Sequence, residues 1–255
     1  MALQDLLILD HFMYSFPPQA IKRLTALCGV LKSCETRAIT RPDGSYEGVY
    51  LFARDGSYFE MLKQSEHTPP LFALSMSCLS PGQETVKNLP SQHPQLQWHK
   101  HQIKDSDNKP WYTYYGQVPI EEAERQGVLL WAMEYHNLRR HRPYQHQKKP
   151  PSIDKFSVQE FKAMRVKVPR LQIELLRERY QWIPGDHSIG KQKAVLRLMN
   201  PSFDVFEVSV EVDKEKGESK PVSLTMLVDK NAEIESQETK GVRLTRIQNT
   251  IILNF

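Results

Sequence analysis

The chain has 255 residues, 40% hydrophobic and 25% charged, a composition that supports one large core or two smaller ones. No apolar run approaches the roughly 20 residues that a membrane-spanning helix needs, and the opening stretch MALQDLLILD has two aspartates and no basic residue, unlike a secretory signal. The formal charge of +4 is local: NLRRHRPYQHQKKPPS (137–152) holds Arg139, Arg140, Arg142, Lys148 and Lys149 with no acid, and the rest of the chain is close to neutral.

In chain order, ILDHFMY (8–14) reads as a short strand. PPQAIKRLTALCGVLKS follows, with Ile21, Leu24, Leu27, Cys28 and Leu31 at helical spacing behind prolines that suit a helix start. Asp43-Gly44 marks a turn, and GVYLFAR (48–54) with SYFEMLK (57–63) reads as a hairpin around Asp55-Gly56. After HTPP the plan recurs: strand LFALSMSCL (71–79), a weak helix PGQETVKNLPSQHP, an alternating LQWHKHQI (96–103), aromatic strand WYTYYGQV, a small acidic turn IEEAERQ, and strand GVLLWAMEYHN (127–137). Each half has the order β-α-β-β-β.

The basic stretch with its three prolines reads as a solvated linker. It has no aromatic stacking pattern, so nucleic acid is not an expected partner. Beyond it, FKAMRVKV (161–168), the amphipathic RLQIELLRERYQW, KAVLRLM, FEVSVEV (206–212), VSLTMLV and VRLTRIQNTIILNF give further α+β structure that could be a third, drifted copy of the unit. The expected domains are 1–138 (modules about 6–66 and 69–138), a linker over 139–152, and a C-terminal region over 153–255. Cys28, Cys34 and Cys78 have no metal-type spacing and form no even framework, so they read as reduced thiols of a cytoplasmic protein.

Strand periodicity groups the side chains with chemistry in them. On 8–14, Leu9, His11 and Met13 share a face; on 57–63, Tyr58, Glu60 and Leu62; on 127–137, Leu130, Ala132, Glu134 and His136. Each titratable group is thus flanked by apolar or aromatic neighbours, where a carboxylate is costly unless paired or bound to a cation. A histidine and two glutamates meeting in a cleft would suit Fe(II), Mn, Zn or Ni with positions left open for substrate oxygens. Taken singly, each residue has a plainer reading. His11 fits a hydrogen-bonded core histidine, Glu60 the solvent face of a strand, and Glu134 with His136 a polar patch or subunit contact.

Tandem β-α-β-β-β units with His on the first strand and Glu on the last resemble the vicinal oxygen chelate superfamily, the glyoxalase-like proteins. LDHFMY resembles that family's opening strand, GSYFEML its module-closing strand, and LLWAMEY the closing strand of a second module. The resemblance covers residues 6–138 and implies an α+β fold in which curled, mainly antiparallel sheets form a cup around a divalent metal. By position it implies His11, Glu60 and Glu134 as metal ligands. The fourth place departs from the pattern, because Leu71 stands where a ligand is usual and leucine cannot ligate.

The resulting expectation is a metal-dependent enzyme acting on a small oxygenated molecule, with Tyr58 and His136 as acid/base partners. Isomerase, lyase, dioxygenase and transferase chemistry all stay open. The alternative is a non-catalytic small-molecule binder of the same fold. Homodimerisation is expected by analogy only, and no membrane association is expected.

Overall fold

The computed structural model describes residues 6–41, 44–64, 69–78, 84–105, 107–136, 158–213, 220–229, 234–239 and 242–255. The basic linker lies outside the described residues. The first module runs β1 (Leu7–Phe16), α1 (Pro18–Leu24), a 3-10 segment (Thr25–Gly29), β2 (Cys34–Arg41), β3 (Gly44–Phe52) and β4 (Tyr58–Lys63). The second runs β5 (Phe72–Cys78), α2 (Glu84–Gln92), β6 (His99–Lys104), β7 (Pro110–Gly116), α3 (Ile120–Gln126) and β8 (Val128–Tyr135). Together they form one eight-stranded sheet in the order β2-β3-β4-β1-β5-β8-β7-β6.

In each module the first strand pairs in parallel with the last, β1 with β4 and β5 with β8, and β1 and β5 join the modules in an antiparallel pair. A parallel return needs a crossover, which α1 and α2 provide. The acidic stretch read as a turn is helix α3. It ends at Gly127, whose φ of 72° is left-handed backbone. A Cβ there would also meet the side chain of Gln172 and the carbonyl of Pro70, so glycine is required twice over.

The C-terminal region repeats the plan in a second eight-stranded sheet. A third module comprises β9 (Val158–Val168), α4 (Arg170–Arg179), β10 (Ser188–Ile189), β11 (Lys193–Met199) and β12 (Val205–Val212), with β9 parallel to β12. A fourth unit then adds β13 (Lys220–Val228), β14 (Gln237–Thr239), β15 (Val242–Ile247) and β16 (Thr250–Asn254). The region read as a single drifted copy is therefore two four-stranded units. The fourth occupies the same places in its sheet, but β13 and β16 are antiparallel, and no helix stands between β13 and β14 among the described residues. Without a crossover helix a strand returns most easily in the opposite sense.

The faces of the two sheets that carry α1, α2 and α4 pack on a common core. Phe12 on β1 stacks on Phe59 (4.6 Å) and Phe206 (4.9 Å) and meets Phe161 edge-on (5.0 Å). Ile173 and Leu176 of α4 enter the same core, and Arg179 donates to the Val128 carbonyl at 3.0 Å across the junction. That face is committed to folding, which leaves the opposite, concave face of the first sheet for a site. No helix among the described residues is long and apolar enough to cross a membrane.

Candidate active site

The site begins with an irregularity in β1. Leu9 pairs with Met76 and His11 with Ser75, so Asp10 is an extra residue, the mark of a β-bulge. Leu9 consequently faces the common core, not the face of His11. Asp10 and His11 both reach the concave side: Asp10 accepts from Ser77 Oγ (2.7 Å) and Tyr135 OH (3.1 Å) and holds His11 Nδ1 at 2.8 Å. A carboxylate in its ionised form only accepts, so His11 Nδ1 carries the proton and Nε2 is the nitrogen left for chemistry.

Nε2 faces β4. Glu60 Oε2 stands 3.7 Å from it, and the other oxygen of Glu60 accepts from Tyr50 OH at 2.5 Å. The imidazole is clamped by rings, stacked on Tyr58 (centroids 4.3 Å apart, 18° between planes) and edge-on to Trp131 (5.1 Å, 76°). Asp10, His11 and Glu60 are all buried, at 0%, 4% and 6% exposure, so polar interactions among them act at low dielectric. Burial, reinforced by Tyr135, Asp10 and Glu60, holds the Tyr58 hydroxyl well above the usual tyrosine range. Burial and then Glu60 do the same to Tyr50. Both phenols therefore stay neutral.

Two of the three expected ligands thus meet, and the third does not. On β8, Val128, Leu130 and Ala132 point into the common core, while Leu129, Trp131, Met133 and Tyr135 line the concave side. Glu134 follows the first set. It bonds Lys87 of α2 at 3.0 Å and accepts from Tyr115 OH at 3.2 Å. Burial first and the Glu134 charge second push the Tyr115 hydroxyl up to about 12. His136 is also away from the site, exposed, its Nε2 2.6 Å from Thr113 Oγ1, and Thr113 is the cross-strand partner of Glu134. Tyr58, by contrast, is in the site. The expectation that Glu134 and His136 face the cup is corrected by the phase of β8.

Leu71 packs on the concave side with Met13, Ala73 and Trp131. From β5, the residue before it and β8, that side receives Leu71, Ala73, Ser75, Ser77, Leu129, Trp131, Met133 and Tyr135: hydroxyls, but among the described residues no imidazole or carboxylate. Ser75, opposite His11 in register, is fully buried, and its hydroxyl has no hydrogen-bond partner among the described residues. Asp10, Tyr50, Ser75, Trp131 and Tyr135 all escaped the sequence reading. For Ser75 and Ser77 a signal existed, since Ala73, Ser75 and Ser77 recur at period two in FALSMSC.

For a divalent ion, the residues present offer His11 Nε2 and Glu60 Oε2. Two donors to one ion, each about 2.1 Å from it, stand about 3–4 Å apart, and 3.7 Å falls in that span. The Asp10 carboxylate behind His11 is the partner that ligating histidines generally have. Among the described residues no three His, Cys, Asp or Glu side chains converge, so those residues offer no more than this pair of donors here.

No family model and no curated protein matches the sequence. Solved structures match much of the chain at low identity. A xylose isomerase-like TIM barrel/4-hydroxyphenylpyruvate dioxygenase fusion protein matches with TM-score 0.48 and 10% identity over 84% of this chain and 35% of its own. BphC, a halotolerant catechol dioxygenase, matches with TM-score 0.46 and 10% identity over 87% and 70%. The 2,3-dioxygenase LapB from Pseudomonas sp. KL28 matches with TM-score 0.42 and 9% identity over 87% and 75%. The chain spans about a third of the length of the fusion protein.

Proposed function

We propose that the concave face of the first sheet is a catalytic site for a small oxygenated organic molecule, with His11 and Glu60 as its working pair and a divalent cation as the group they hold. The observation that carries this is the line Asp10–His11–Glu60, in which the one uncommitted imidazole nitrogen faces the one uncommitted carboxylate oxygen inside a wall of aromatic rings. Asp10 fixes the tautomer and orientation of His11, as the outer carboxylate of a ligating histidine does. Tyr50 fixes the rotamer of Glu60 by a charge-assisted hydrogen bond. Tyr58, kept neutral, is a hydrogen-bond donor to a ligand oxygen and not a base. The cation, when bound, supplies Lewis-acid stabilisation of an oxyanion. With two donors among the described residues, its other positions belong to oxygens of the ligand and to water.

The test is metal analysis of protein loaded with Mn, Fe(II), Zn or Ni and then dialysed, beside His11→Ala and Glu60→Gln. Near-stoichiometric metal in the parent and loss in both variants is expected. Negligible metal in all three proteins removes the cation from the proposal.

A second reading has its own support. Among the described residues the second module brings no imidazole or carboxylate to the concave face, and Leu71 stands where the family resemblance implies a ligand, which suits a binder that sequesters an aromatic molecule without chemistry. That reading requires aromatic compounds to raise the melting temperature in the presence of EDTA, a rise that follows ligand concentration. A panel that produces no shift would remove it.

A further inference from the structure

Away from the concave face, two of the three cysteines lie against each other. Cys28 sits in the 3-10 segment after α1 and Cys34 opens β2, and their sulfurs are 2.7 Å apart. The segment between them is folded back by main-chain hydrogen bonds, Val30 N and Leu31 N to the Leu27 carbonyl (2.9 and 2.8 Å) and Cys34 N to the Leu31 carbonyl (2.8 Å). Leu27 and Leu31 are buried anchors of the core, so the fold of the backbone brings the two cysteines side by side. A disulfide has a sulfur separation near 2.05 Å, about 0.7 Å shorter than this contact.

The two thiols are not equivalent. Cys28 is half-buried and Cys34 buried. The hydrogen bond from Cys34 draws the Cys28 thiol below its ordinary value against the effect of burial. The same hydrogen bond, with burial, pushes Cys34 up. A half-buried thiol drawn down beside a sheltered one pushed up is the arrangement of an attacking and a resolving cysteine.

We propose that Cys28 and Cys34 form a peroxide-responsive disulfide site. The Cys28 thiolate attacks one oxygen of hydrogen peroxide, the O–O bond breaks, and hydroxide leaves, giving a sulfenic acid. Cys34 then attacks the Cys28 sulfur, the S–O bond breaks as the S–S bond forms, and the Cys34 proton leaves with the hydroxyl as water. The hydroxide takes up the proton that the Cys28 thiol had released, so two thiols lose two electrons and the peroxide is reduced to two waters. Cys34 pairs with Leu51 of β3, next to Tyr50, so the crosslink ties the 3-10 segment to the start of edge strand β2 in the sheet that carries the candidate site.

The experiment exposes reduced full-length protein briefly to hydrogen peroxide, then alkylates free thiols in denaturant. The expected result is a fall from three reactive thiols to one. Trypsin cleaves after Arg23, Lys32 and Arg37, so peptides 24–32 and 33–37 should stay joined until reductant is added. In Cys34→Ser, dimedone should trap a sulfenic acid on Cys28; in Cys28→Ser, Cys34 should stay reduced under the same exposure. The peptide linkage is read on the parent chain and does not depend on either variant folding. Three thiols surviving peroxide, over-oxidation of Cys28 with unlinked peptides, or equal thiol loss in Cys28→Ser and the parent would each overturn the proposal.

Discussion

Glu60→Gln separates a ligand from a structural acid. Glutamine keeps the shape and an acceptor for Tyr50, and removes the charge. In the metal-free protein, that charge faces the His11 ring at 3.7 Å with Glu60 only 6% exposed. Were His11 protonated, the attraction at an effective dielectric of about 20 is about 4–5 kcal/mol. Against it stand several kcal/mol of desolvation for each ion, so the pair roughly breaks even; with His11 neutral, Glu60 is a net cost. The substitution should therefore leave the EDTA-treated protein as stable as the parent or more so, by up to about 2 kcal/mol. For a chain of this size each kcal/mol moves the melting temperature by about 2–4 °C. Added Mn(II) should reverse the order. At 100 times Kd the parent gains about 2.7 kcal/mol, and the variant, lacking one of two donors, gains little. Thermal unfolding with EDTA and with Mn(II) measures both halves. A loss above about 2 kcal/mol in EDTA would make Glu60 structural, and an unchanged Mn(II) shift would exclude it as a ligand.

Glu134→Gln should leave metal uptake and its thermal shift unchanged, because Glu134 bonds Lys87 and Tyr115 on the other face; elemental analysis beside Glu60→Gln checks this. Phe12→Ala removes a ring packed on Phe59, Phe161 and Phe206. It should cost about 3–5 kcal/mol in urea unfolding, with both sheets lost in one transition. Buried phenols set an alkaline limit. The Tyr115 hydroxyl, raised from 10.0 to about 12, contributes stability that is fully present below pH about 10 and is lost as pH rises through about 12. Tyr50 and Tyr58 are raised in the same sense, so thermal unfolding followed by tyrosinate absorbance should show stability falling above pH 10, with little change between pH 7 and 9.

The strand periodicity of the sequence carried half of the site and lost the other half for a definite reason. In SYFEMLK the polar residue interrupts large apolar neighbours, and Tyr58, Glu60 and Leu62 do share a face opposite Phe59 and Met61. GVLLWAMEY gives no such phase. All eight residues of β8 are buried, so both faces are apolar, as in other parallel-paired central strands. Nothing in the spacing then says which way Glu134 points. A buried lysine-paired glutamate and a buried ligand glutamate look the same in sequence. Distinguishing them required Lys87, which approaches from a helix.

The bulge at Asp10 was equally silent, since an extra residue in a strand alters alternation only once the partner strand is known. Its consequence is chemical. An unbulged β1 would alternate Leu9, His11 and Met13 on one face and turn Asp10 toward the common core, leaving a buried carboxylate among Phe12, Leu74 and Met76 and an imidazole with no orienting partner. The bulge moves the leucine into the core and brings the aspartate beside the histidine. The same residue count that breaks the strand's regularity thus creates the only imidazole–carboxylate line on the concave face among the described residues, and locates the candidate chemistry in the first module. The second module supplies rings and hydroxyls around it.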